Sequence, residues 1–109
     1  MLNNKIFSYV GFAKRALKLK AGTNAIKTVK KGVYLLMVCE TASQNALKEA
    51  LKLSERFGCP IYQSSGFTLE NLINKENCKL IAILEPELAK AIILNAGEDL
   101  IDISGGIKE

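Results

Sequence analysis

Two short segments, YLLMVC at 34–39 and KLIAIL at 79–84, are apolar at almost every position, with no alternation of apolar and polar residues. Successive side chains of a strand point to opposite sides of its sheet, so a strand that is apolar throughout has to be covered on both faces. The segments between and around them supply that cover. Ile6, Phe7, Val10, Ala13 and Leu17 recur at helical spacing, and Asn3 or Asn4 can cap the helix they line, which runs to about Lys18. A short extended piece at 19–21 leads into Gly22. Thr23 or Asn24 then caps a brief second helix, anchored by Ile26 and Val29 and closed by Gly32. Lys30 and Lys31 fall in its last turn, where they suit the negative end of the helix dipole.

Ser43 caps a third helix to Phe57, with Leu47, Ala50, Leu51, Ser54 and Phe57 facing inward and Gly58 stopping it. Residues 60–64 read as a strand, and Thr68 caps a short fourth helix to about Asn74. Glu85-Pro86 opens a fifth helix, with proline at its first position, ending near Gly97. This alternation predicts an α/β protein, a three-layer α-β-α sandwich with a mixed sheet of about four strands. With 49% apolar residues among 109, one domain over 1–97 can bury a core of its own. Residues 98–109 are expected as a C-terminal tail, with a brief strand at 100–103 at most and a turn at Ser104-Gly105-Gly106. No apolar run reaches the roughly 18 residues of a membrane span. The N-terminal segment, interrupted by Lys14 and Arg15, has no signal-peptide pattern. A cytoplasmic protein without a membrane partner is the expectation.

The chain has no histidine, which removes His-based metal sites, Ser-His-Asp triads and Cys-His dyads. Cys39, Cys59 and Cys78 are widely spaced and odd in number, the pattern of buried free thiols. Neither G-x-G-x-x-G nor G-x-x-x-x-G-K-[ST] occurs, and Glu85 and Glu87 at a helix start are explained by the helix dipole. No catalytic activity, cofactor or metal is expected. A small-molecule enzyme of α/β type would lack any recognisable catalytic set.

Charge is distributed unevenly. The first 39 residues hold eight lysines and arginines and no carboxylate, and the remaining 70 hold seven basic and eleven acidic groups. The formal +4 therefore divides into +8 and −4. A cationic N-terminal third favours polyanions, with nucleic acid as the leading reading. A membrane surface and a plainly solvated helix face are the rivals. Within this third, the Gly22-Thr23-Asn24 junction stands out. Glycine admits a close backbone approach. The first amides of a helix are unpaired and accept phosphate oxygens, and Asn24 can both donate to and accept from a base edge. Lys27 lies one turn further along. An ordinary capping sequence is the alternative.

Taken in order, these pieces resemble a known family. The run GFAKRALKLKAGTNAIKTVKKG at 11–32, an apolar strand and CETASQNALKEAL at 39–51 look like the small bacterial YlxQ-type proteins. Those are relatives of the large-subunit ribosomal protein family of the L-seven-Ae type, which binds kink-turn RNA. Gly11 to Ala16, Ala21-Gly22, Glu40 to Asn45, Cys59-Pro60-Ile61 and Leu69 through Glu76 stand where that family has its motifs, over about residues 5–95. The resemblance implies an α-β-α sandwich that binds structured RNA, ribosomal or ribosome-associated, without catalysis. It implies that the start of the second helix enters the widened groove of a kinked stem. Gly22, Thr23, Asn24 and Lys27 become contact residues, with Lys30, Lys31 and Lys14 near phosphates. Glu40 borders the site, and the loop of Ser65 and Phe67 covers an extruded nucleotide, on which Phe67 can stack. Three departures are visible, the first a Gly22-to-Gly32 interval about one residue short, which leaves two adjacent registers for matching Asn24 and Lys27. Ala25 follows Thr23-Asn24 where the family often has an acidic residue, and Leu69-Glu70-Asn71 replaces Leu-Gly-Arg, which sets an anion beside the expected RNA surface. A protein-interaction module on the same fold is the second reading, and its sign would be an exposed patch at Leu88, Ile92 and Ile93.

Overall fold

The computed structural model describes residues 4–104. Its elements are α1 (Asn4–Arg15), β1 (Leu19–Ala21), α2 (Thr23–Lys27), β2 (Leu35–Val38), α3 (Gln44–Phe57), β3 (Ile61–Ser64), α4 (Leu69–Ile73), β4 (Leu80–Ile83), α5 (Pro86–Leu94) and β5 (Leu100–Asp102). The strands form one mixed sheet in the order β1-β4-β2-β3-β5, with β2 and β3 parallel and the other neighbours antiparallel.

Every residue of the central strands β2 and β4 is buried. Their side chains divide by parity, as strand geometry demands. Leu35, Met37, Ile81 and Ile83 join a core built from α1, α4 and α5, through Ile6, Val10, Leu69, Ile73 and Ile92. Leu36, Val38, Leu80 and Ala82 join a second core with Ile26 of α2 and Ala50 and Leu53 of α3. The three-layer α/β sandwich is therefore as expected, with five strands in place of about four. The additional pairings involve the two short edge strands. The piece at 19–21 pairs with β4, and the expected tail is ordered at least to Ser104. There β5 pairs with β3, and Ser104 Oγ accepts from Ile61 N at 2.9 Å. Gly105 and Gly106 lie outside the described residues.

Three helices end earlier than the sequence predicts; α5 stops at Leu94, with Asn95 as its C-cap, short of Gly97. Helix α1 stops at Arg15 because Leu17 takes a left-handed conformation (φ 60°). Lys18 N then donates to Ala13 O (2.8 Å) and Leu17 N to Lys14 O (3.2 Å), a helix-ending pair of bonds normally built around glycine. Leu17 is thus 85% exposed, and Phe7 is also half out of the core, so two of the five residues expected in the buried stripe are not in it. Helix α2 is capped by Gly22 (φ 96°), not by a side chain of Thr23 or Asn24. It ends at Lys27, where Arg56 of α3 donates to Lys27 O (3.2 Å) and Val29 O (2.9 Å). Lys30 and Lys31 consequently lie in the loop beyond the helix, not in its last turn.

Helices α3 and α4 start and stop where their caps say. Ser43 Oγ accepts from Ala46 N, Thr68 Oγ1 from Asn71 N, and Gly58 and Asn74 are left-handed at the far ends. All three cysteines are buried and free. Burial pushes the Cys59 thiol up to about 11, so it stays neutral at ordinary pH.

Candidate nucleic-acid interface

The register of the sheet fixes which loops meet. Strand β1 runs antiparallel to β4, with Ala21 opposite Ile81, so Gly22 emerges beside the start of β4. Strand β2 is also antiparallel to β4, with Val38 opposite Leu80, so Cys39 and Glu40 emerge at the same end. Strand β3 is parallel to β2 and delivers Ser64 and Ser65 there too. The start of α2, the β2–α3 loop and the β3–α4 loop therefore share one end of the sheet.

Hydrogen bonds tie these loops together. Gly22 N donates to Leu80 O and Cys39 N to Lys79 O, both at 2.8 Å. Glu40 N donates to the buried Ser64 Oγ (2.9 Å), while the Glu40 carboxylate accepts from Gly66 N (2.9 Å). Ser65 N donates to Asp99 O (2.9 Å). Glu40 thus clamps two loops together. Between them stands Lys79, whose Nζ donates to Thr41 Oγ1 (2.8 Å) and pairs with Glu70 Oε2 (3.0 Å). The anion introduced by Glu70 is therefore matched on the spot by a cation.

Next to the start of α2, a concavity of about 490 Å3 is lined by Thr23, Asn45, Lys48, Glu49 and Lys52. Glu49 at its edge pairs with Lys27 at 2.9 Å. Both partners are about half exposed, so the pair is screened and weak, and the ammonium can still be drawn to a phosphate.

Not every expected residue arrives at this end. Thr23 and Asn24 do, with Asn24 exposed. Lys30 and Lys31 follow α2 and precede β2, which places them at the opposite end of the sheet, where Tyr34 N meets Ile83 O. Lys14 lies on the other helix layer, with its Nζ donating to Ile73 O (2.9 Å) at the end of α4. The cationic third of the sequence is not one face: α1 and α2 cover opposite sides of the sheet, with β1 between them. Phe67 is mostly buried and packs against the α1–α4–α5 core, so it stands back from the position expected for stacking on a base. Lys79, Lys48, Lys52 and Asn45 also stand at this end, outside the cationic N-terminal third. The i, i+4 spacing of Lys48 and Lys52 puts both on one face of α3. Among the described residues, no group of three or more His, Cys, Asp or Glu side chains is placed to hold a metal ion. Nor is any helix among them long and apolar enough to cross a membrane.

No protein-family model matches the chain, and no curated protein does. Among solved structures, the chain is similar to a protein with unknown function from Bacillus halodurans, with a TM-score of 0.68 and 20% identity over 84% of this chain and 96% of that one. At that identity the likeness establishes a shared fold.

Proposed function

We propose that this protein is a non-catalytic, cytoplasmic RNA-binding protein, ribosomal or ribosome-associated, that recognises a kinked, structured RNA at the sheet end carrying Gly22. The observation that carries this reading is the convergence of three loops, 22–24, 40–43 and 65–67, the last two tied by Glu40 and the first held beside them by Gly22 N donating to Leu80 O. These are the segments to which the family resemblance assigns RNA contact, and they are far apart in sequence. Asn24 offers a donor and an acceptor to a base edge, while Lys79, Lys48, Lys52 and Lys27 meet phosphates. The cations of α1 and of 30–31 contribute only long-range attraction.

Binding of a kink-turn RNA and of a regular duplex, each titrated across salt concentrations, tests the proposal. A preference for the kinked stem is expected, with a log–log salt slope on the order of −2 to −4 for three to five phosphate contacts. Equal affinity for both RNAs, or a flat salt response, removes it. The alternative of a protein-interaction module through α5 loses its expected sign, because Ile92 is fully buried and Leu88 and Ile93 pack against the core.

A further inference from the structure

On the helix layer that RNA recognition does not use, Phe7 and Phe12 of α1 are 54% and 57% exposed. They flank a groove of about 440 Å3 between α1 and α4, with the nearly buried Leu72 and Ile73 at its base. Gly11 opens it. Phe7, Gly11 and Lys14 share one line of the helix surface, and Ser8, Phe12 and Arg15 share the next. Glycine inside a helix destabilises it relative to alanine, and packing does not require glycine here. A Cβ at Gly11 would meet only the guanidinium of Arg15, at 3.4 Å. The missing side chain leaves room instead for a side chain from elsewhere.

We propose that this groove docks an acidic amphipathic segment of another protein. Its apolar side chains would lie over Gly11 between the two phenylalanines, and its carboxylates would meet Lys14 and Arg15. The argument for an acidic partner is charge complementarity. Both cations at the rim are held in position, Lys14 by Ile73 O at 2.9 Å and Arg15 over the Phe12 ring at 5.3 Å. The Lys14 ammonium keeps two further donors for an incoming carboxylate. Among the described residues, none of those lining the groove is acidic. A second copy of the chain docked groove to groove would oppose like charges. A flat membrane surface cannot reach Leu72 and Ile73 at the base. Stacking of an RNA base on Phe12 is disfavoured because the Arg15 guanidinium already lies over that ring.

The test uses the full chain and fluorescence anisotropy. One labelled model peptide carries leucine at helical i, i+3, i+4, i+7 spacing with glutamate elsewhere; a second carries lysine in place of glutamate. The acidic peptide is expected to bind at least about tenfold more tightly than the basic one. Gly11→Leu fills the groove and should weaken the acidic peptide at least about tenfold, as should Phe7→Ser with Phe12→Ser. Helix content measured by circular dichroism should persist in Gly11→Leu, because leucine is the better helix former. The inference is overturned if neither peptide binds, if both bind equally, or if Gly11→Leu leaves binding unchanged. It is equally overturned if Gly11→Leu abolishes binding to phosphatidylglycerol vesicles or to the kinked RNA instead.

Discussion

In the α2–α3 layer the exposed surface is polar and two of its cations are engaged, Lys27 with Glu49 and Arg56 with the carbonyls that end α2, while Lys48 and Lys52 face an open concavity. In the α1–α4–α5 layer the exposed surface carries Phe7, Phe12 and Leu94, with Lys14 and Arg15 beside an apolar groove. The same lysine-rich stretch of sequence feeds both. What the contrast teaches is that a charge cluster in sequence becomes a cluster in space only when its residues share a layer. Here the chain crosses the sheet between Arg15 and Thr23, and one apparent polyanion surface becomes two surfaces with different chemistry.

The contrast can be broken or sharpened by substitution. Ile26 is fully buried and anchors the short helix α2, so Ile26→Ala should cost about 2–5 kcal/mol in urea denaturation. A loss under about 1 kcal/mol would mean that α2 is held by its ends and not by its core side chain. Asn24→Ala should weaken binding to a kinked stem by about 1–3 kcal/mol while leaving a regular duplex nearly unaffected. Equal losses on both would move the reading surface elsewhere. Lys79→Ala should weaken RNA binding by about 1 kcal/mol, with Lys14→Ala and Lys30→Ala costing much less; the reverse order would restore the N-terminal third as a single surface.

Gly11→Ala should stabilise the protein by about 0.5–1 kcal/mol in the same denaturation experiment, since the new methyl group meets no backbone. A destabilisation there would mean that the α1–α4 groove is tighter than its geometry indicates. The smallest effect expected is from Glu70→Gln. Releasing Lys79 from its pair should tighten RNA binding by on the order of 0.5 kcal/mol, read as a small gain in affinity at low salt.

Much of the fold was legible because its signals are local. The apolar runs at 34–39 and 79–84 lie in the two central strands, and Ser43, Thr68 and Gly58 mark helix ends through bonds to residues only a few positions away. The misread ends have non-local or unusual causes. The early stop of α2 depends on Arg56, nearly thirty residues later, and the stop of α1 on a leucine in a conformation that favours glycine. The candidate site was half legible. Gly22, Thr23 and Asn24 carry a capping signature, but Lys79 joins them only through the antiparallel register of β4.

The order of helices and strands followed from the sequence alone, because hydrophobic period and capping chemistry act over a few residues. Which face each helix covers, which cations meet, and where an apolar groove stays open were decided by the tertiary structure. Those depend on strand order and register, which sum contacts over the whole chain and leave no trace in any single window of residues.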